Sequence, residues 1–253
     1  MKAFDLETTG IDVLTARIVT ASVIDLDAST RGKVNHDWLA NPGVPIPETA
    51  TAVHGITDEK AAAEGRPARE VVMEINEHME RAHRDGTPIV GFNLAYDMSV
   101  LRAESIRHEL EPPKTPLVID AHVLDKAMDK YRRGGRKLTD VAALYGIDLK
   151  DAHSADADSY ASALVAYRMA LKYPEQLQIP LEELHEKQRQ WFAESAISFQ
   201  KYKRERADPN ICIPPQWPVR TAEDDPWSVH CNPRWSAGRC ASPAISSPRT
   251  TKP

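Results

Sequence analysis

The chain predicts an α/β fold, with a mixed central sheet flanked by helices. Two patterns and the composition lead there: an opening that reads as paired strands, a later stretch in which short apolar runs alternate with helical periodicity, and a make-up of 42% hydrophobic and 27% charged residues. Such a composition supports an ordinary packed core, and a start of antiparallel character followed by alternation fits a mixed sheet. Ala3-Phe4-Asp5-Leu6-Glu7 and Arg17 to Asp25 are rich in strand formers and are separated by a Thr8-Thr9-Gly10 turn, so a hairpin or meander is expected. Pro42, Pro45 and Pro47 remove backbone donors and fix φ, which makes residues 41–47 a loop.

From Pro67 to Arg84 the apolar positions Val71, Val72, Ile75, Met79 and Ala82 recur at helical spacing, and Asp85-Gly86 supplies a stop. A short strand (88–92), a helix carrying Met98, Leu101 and Ile106, a strand Leu117 to Asp120 and a helix to about Lys130 follow. A basic glycine loop, Arg132 to Lys137, precedes a short helix over Thr139 to Leu144, and a longer helix is expected from about Asp156 to Lys172. Residues 1–174 thus read as one domain.

Residues 175–207 read as a helical appendage, with Leu184, Gln188, Trp191, Ser195, Phe199 and Tyr202 on one stripe that packs on the core. Nine of the nineteen prolines lie from Pro209 onward, and residues 208–253 read as a Pro-rich disordered tail.

No apolar run approaches the ~20 residues of a membrane span, and the N-terminus reads directly into strand residues without a signal-peptide pattern, so cytoplasmic residence is expected. Cys212, Cys231 and Cys240 are an odd set near the C-terminus, which argues against a disulfide framework; with His230 they also lack zinc-site spacing. A net charge of -5 does not suit a protein that grips duplex DNA by charge alone. It leaves room for an enzyme that stores carboxylates for metal ions, because bound cations invert the local sign.

Asp5 and Glu7 are two residues apart in a strand, so their carboxylates share a face. Such a pair is most often a solvated edge, although it can also hold a metal. Asp97 lies where an apolar strand gives way to a helix, a position also explained by the helix dipole. His153 and Asp158 are five residues apart, about 140° if both were helical; His153 therefore belongs on a loop and Asp158 in the first turns of the next helix. Taken alone, a histidine there is more often a surface residue beside a cap.

Together, Phe4-Asp5-Leu6-Glu7-Thr8-Thr9-Gly10, Asn93-x-x-x-Asp97-x-x-x-Leu101 and His153-x-x-x-x-Asp158 resemble the three motifs of the DEDDh (DnaQ-like) 3'-5' exonucleases. That family includes the proofreading epsilon subunit of bacterial DNA polymerase III, RNase T and oligoribonuclease. Asn41-Pro42-Gly43, Val53-His54-Gly55-Ile56-Thr57, Lys137-Leu138-Thr139-Asp140 and Tyr145-Gly146-Ile147 extend the likeness, which covers residue 3 to about 172. Phe92 departs from it, standing where many members carry histidine.

The resemblance implies an RNase H-like fold and two Mg²⁺ (or Mn²⁺) ions held by Asp5, Glu7, Asp97 and Asp158. It implies that His153 acts as general base, and that Leu6, Thr8, Thr9 and Asn93 hold the terminal nucleotide. The expected partner is the single-stranded 3' end of DNA, with a DNA polymerase as a further partner; no membrane is involved. An oligoribonuclease or RNase T-like enzyme is the alternative with the same chemistry, and a non-catalytic platform that recruits a polymerase is the alternative of another class. The basic loop Arg132 to Lys137 is read equally as a phosphate track or a solvated loop.

Overall fold

Strand β1 (Lys2–Thr8) alternates its side chains between two covered faces, because it is paired on both edges. It runs antiparallel to β2 (Ile18–Asp27), with Asp5 opposite Ser22 and Glu7 opposite Thr20, and parallel to β5 (Ile89–Gly91). The computed structural model describes residues 1–27, 30, 32–149 and 154–220. Strands β3 (Gly32–Asn41), β4 (Arg66–Pro67) and β6 (Val118–Asp120) complete a six-stranded mixed sheet in the order β4-β3-β2-β1-β5-β6.

The helices are α1 (Glu48–His54), α2 (Asp58–Glu64), α3 (Ala68–Arg84), α4 (Leu94–Arg107), α5 (Ala121–Met128), α6 (Leu138–Leu144), α7 (Ala155–Lys172), α8 (Pro174–Leu177) and α9 (Leu181–Arg206). On one side of the sheet Phe4 and Leu6 pack with Val71, Ile75 and Met79 of α3 and Met98 and Leu101 of α4. On the other side Ala3 and Val90 pack with Leu124 of α5, Val141 of α6 and Val165 and Met169 of α7. Strand alternation then puts Asp5 and Glu7 on the face of Ala3, toward α7. No helix among the described residues is long and apolar enough to cross a membrane.

The expected appendage helix covers an edge of the sheet. On α9 the buried Gln188 accepts from the Asp120 N–H (2.7 Å) and donates to the Val118 carbonyl (2.9 Å), while His185 Nδ1 accepts from the Val118 N–H (3.0 Å). These side chains pair the free backbone groups of β6, which otherwise form an open template for association. The stripe differs from expectation in its second half. Leu184, Gln188, Ala196 and Gln200 are buried, whereas Phe199 and Tyr202 are exposed.

The tail expected to be disordered from residue 208 is instead packed on the domain as far as residue 220. Trp217 is 5% exposed, the Ile213 N–H donates to Gln200 Oε1 (2.7 Å), and the Arg220 N–H donates to Ser99 Oγ (2.7 Å). An aromatic anchor and two backbone bonds to side chains hold this segment without any periodicity of its own. Cys212 is disulfide-bonded, a single bridge that the sequence reading did not anticipate.

Candidate metal centre

A bulge between Glu7 and Thr8 ends β1 just past the two acidic positions. Across from them α7 begins at Ser154, whose carbonyl accepts from the Asp158 N–H (3.0 Å), so Asp158 lies in the first turn facing the sheet. Carboxylate oxygens of Asp5, Glu7 and Asp158 all lie within 4.8 Å of one another. Burial, and then the charges of Asp97, Glu7 and Asp158, push the Asp5 carboxyl well above its usual range. Burial and Asp158 push Glu7 up to about 7. Three converging acids held against their own repulsion form a hard-oxygen donor set that a divalent cation would relieve.

Asp97 enters the site differently from its partners. It is 4% exposed at the start of α4, and its Oδ1 accepts the N–H of Leu6 (3.1 Å), the residue between Asp5 and Glu7. Burial raises its carboxyl, two backbone N–H donors oppose this, and Asp120 and Glu7 add to the rise. Three of the four expected carboxylates therefore meet as one group, and the fourth is fixed beside it through the backbone of β1. His153 lies outside the described residues.

Leu6, Thr8 and Thr9, expected to hold the terminal nucleotide, are engaged in bonds within the protein. Leu6 packs in the core at 5% exposure with its N–H engaged by Asp97. Thr8 Oγ1 is bonded to the Tyr96 hydroxyl and the Gly10 carbonyl, and the Tyr96 hydroxyl also meets Gly10. Thr9 closes the loop onto Arg17, donating its N–H to the Arg17 carbonyl and accepting the Arg17 N–H, each at 3.0 Å. These residues brace the turn after β1 against α4. The fully buried Glu104 adds to that brace through the Ile18 N–H (3.2 Å), Arg17 (3.9 Å) and Arg107.

Asn93 adopts a left-handed backbone (φ 64°) before α4, and its N–H donates to Asp120 Oδ1 (2.8 Å). Asp120, missed in the sequence, is wholly buried. It also accepts from the N–H groups of His122 (3.0 Å) and Val123 (3.4 Å) and from Trp217 Nε1 (3.3 Å). An Asp closing an apolar strand just before a helix is an N-cap signature and could have revealed it.

Two of the four cations of the basic glycine loop are engaged within the protein, while Arg133 and Lys137 are exposed. Arg132 and Arg136 both pair with Asp125 (2.8 and 2.6 Å), which is 1% exposed, so neither guanidinium is available to follow a strand. Asp25, His36 and His78 also come together. Lys2 already pairs with Asp25, so that group is an internal ion-pair cluster.

Burial pushes the His122 imidazole down to about 3; Lys126 and Arg136 add to the fall and Asp125 opposes it. A folded-state value below the unfolded ~6.5 means that the unfolded chain takes up the proton first. The stability present above about pH 6.5 is then lost as pH falls toward 3. In urea titrations between pH 7 and 4, His122→Gln is expected to flatten the fall in unfolding midpoint relative to wild type.

The exonuclease family of RNase T type matches residues 3–166, a span that takes in Asp5, Glu7, Asp97 and Asp158. The chain belongs to this family. The exonuclease domain is 28% identical over 184 residues to a PolC-type DNA polymerase III of Pediococcus pentosaceus, covering 69% of this chain and 12% of that protein. It is 26% identical over 168 residues to the PolC-type polymerase of Streptococcus pneumoniae, covering 65% of this chain and 11% of that protein. It therefore spans about an eighth of the length of these relatives. Among solved structures, a chain of E. coli exonuclease I in complex with a dT13 oligonucleotide matches with a TM-score of 0.59 at 19% identity, covering 70% of this chain and 42% of that one. Another exonuclease I structure matches with a TM-score of 0.61 at 20% identity, covering 69% and 41%. The fold is that of the DnaQ-like, RNase H-like exonucleases.

Proposed function

We propose that this chain is a divalent-metal-dependent 3'-5' exonuclease that releases nucleoside 5'-monophosphates from single-stranded DNA. The observation that carries the reading is the convergence of the Asp5, Glu7 and Asp158 carboxylates in a chain of the exonuclease family. Among the described residues the donors of the group are carboxylate oxygens, which suit Mg²⁺ or Mn²⁺. When bound, a pair of such ions supplies Lewis-acid activation of an attacking water and charge neutralisation at the leaving oxygen.

In this reading Asp5, Glu7 and Asp158 would hold the ions, Glu7 and Asp158 on the side of the attacking water, and Asp97 would serve the leaving-group side from its place beside Leu6. His153 takes the proton from the attacking water, since an imidazole titrates near neutral pH. Asn93, next to the centre on the loop before α4, contacts the substrate strand. The names of the PolC-type relatives favour DNA as substrate and a DNA polymerase as partner.

The test is degradation of 5'-labelled single-stranded DNA and RNA of matched sequence with Mg²⁺, Mn²⁺ or EDTA. Stepwise shortening from the 3' end, dependent on metal and faster on DNA, is expected. Faster shortening of RNA would move the substrate to the RNA branch, and no shortening with any metal would overturn the reading. His153→Ala is expected to lower kcat by ~10²–10⁴-fold, the usual contribution of a positioned general base; single-turnover rates across pH measure it.

A further inference from the structure

A second cleft, about 130 Å³ in volume, lies between α5, α9 and the returning segment 208–220. Its walls include Asn93, His122, Lys126, Phe192, Phe199 and Arg220. Lys126 and Arg220 are both partly buried, and among the described residues neither makes an ion pair. Arg220 Nε has no hydrogen-bond partner, and the guanidinium stands 5.9 Å from the Phe192 ring centroid. Burial and Arg136 weigh against the Lys126 charge more than Asp120 and Asp125 support it, and burial alone weighs against that of Arg220, so an anion in the cleft would stabilise both. The volume is too small for a cofactor, which usually needs roughly 300 Å³ or more, yet it accepts a phosphate or the edge of a nucleotide.

The cleft continues at both ends. Asn93 stands four residues before Asp97, about one helical turn from the metal centre. At the other end Phe199, 49% exposed, stacks on Tyr202, 48% exposed, with ring centroids 6.5 Å apart and planes 12° apart. Lys203 stands 5.5 Å from the Phe199 ring and Arg206 4.7 Å from that of Tyr202. Exposed parallel rings interleaved with cations are how proteins hold single strands without reading sequence, bases on the rings and phosphates on the cations.

We infer that this cleft and the adjoining face of α9 form a subsite for the single strand upstream of the 3'-terminal nucleotide, with Lys126 and Arg220 on its phosphates and Phe199 and Tyr202 under its bases. This rests on the nuclease reading above. It explains why α9 turns Phe199 and Tyr202 outward, and why the 208–220 segment returns to place Arg220 beside Asn93.

The experiment compares kcat/KM for oligo-dT of 12 and of 3 nucleotides with Mg²⁺, together with the salt dependence of 12-mer binding in EDTA by fluorescence anisotropy, on the full chain. Wild type is expected to prefer the 12-mer by at least ~10-fold. Lys126→Ala with Arg220→Ala should remove most of that preference and lower the log–log salt slope by about 1.4, at about 0.7 per lost phosphate contact on single strands. Phe199→Ala, at an exposed position, should weaken 12-mer binding by ~5–100-fold, the usual cost of one lost stacking platform. Lys187→Ala, which removes a cation paired with Glu183 elsewhere on α9, should change neither reading. An unchanged length preference and salt slope in the double variant and in Phe199→Ala would overturn the subsite. Equal losses on both lengths, or displacement of an acidic peptide without effect on the 12-mer, would do so too. If wild type hydrolyses neither oligonucleotide, the nuclease reading itself fails.

Discussion

Asp5→Ala is expected to lower kcat on single-stranded DNA by roughly 10³–10⁵-fold while leaving the fold intact. Asp5 sits in the middle of β1, within reach of both Glu7 and Asp158, and Leu6 beside it carries the bond to Asp97. On the proposed reading, removing this carboxylate would take a ligand from the metal site, and the Lewis-acid stabilisation at stake would be worth several kcal/mol, at tenfold in rate per 1.36 kcal/mol. Its destabilised charge also sets the sign of a second effect. Burial and three neighbouring acids work against Asp5 in the metal-free chain, so Asp5→Asn should raise the thermal midpoint in EDTA while abolishing the rise that Mg²⁺ gives wild type. Rapid-quench assays and thermal melts with and without metal measure both. A variant that keeps more than a tenth of wild-type activity would remove Asp5 from the centre.

Asp120→Ala is expected to cost about 3–5 kcal/mol of stability, the largest effect predicted outside the carboxylate group. Burial raises the Asp120 carboxyl, and the donors from Asn93, Trp217, Val123 and His122 oppose that rise. Truncation leaves these donors buried and unpaired, each costing about 1–3 kcal/mol before relaxation. It also frees the two pieces that Asp120 joins: the left-handed Asn93 that starts α4, and the Trp217 anchor of the C-terminal segment. Urea unfolding should show the loss, with Asp120→Asn milder because it retains an acceptor for the backbone donors. A cost below about 1 kcal/mol would mean that Asn93 and Trp217 are held by packing alone.

Much of the core was legible because its periodicities are strong. The α3 stripe of Val71, Val72, Ile75 and Met79 and the alternation of Ala3, Asp5 and Glu7 against Phe4 and Leu6 follow from the 3.6 and 2.0 repeats. Strand β3 was not named, since Lys33, Asn35, His36 and Asp37 are polar and only the register against β2 makes it a strand. The short helices α1 and α2 lie in a Pro- and Gly-bounded stretch whose burial is almost nil beyond Ala61, so no stripe announces them. Residues 208–220 defeated composition-based reading because a single Trp and a few backbone bonds to distant side chains order them. The bonding of Leu6, Thr8 and Thr9 was hidden for a related reason. Sequence shows which groups are near a site, whereas their hydrogen-bond partners on Tyr96, Arg17 and Asp97 come from elements eight to more than eighty residues away.

The central claim is that Asp5, Glu7 and Asp158 hold divalent cations for hydrolysis of a DNA 3' end, and the most direct test counts those cations. Mn²⁺ titrated into the protein with thymidine 5'-monophosphate present, with free Mn²⁺ read by electron paramagnetic resonance, should give two bound ions per wild-type chain and a loss of tight binding in Asp5→Ala. No bound Mn²⁺ in wild type, or the same stoichiometry and affinity in Asp5→Ala, would contradict the account.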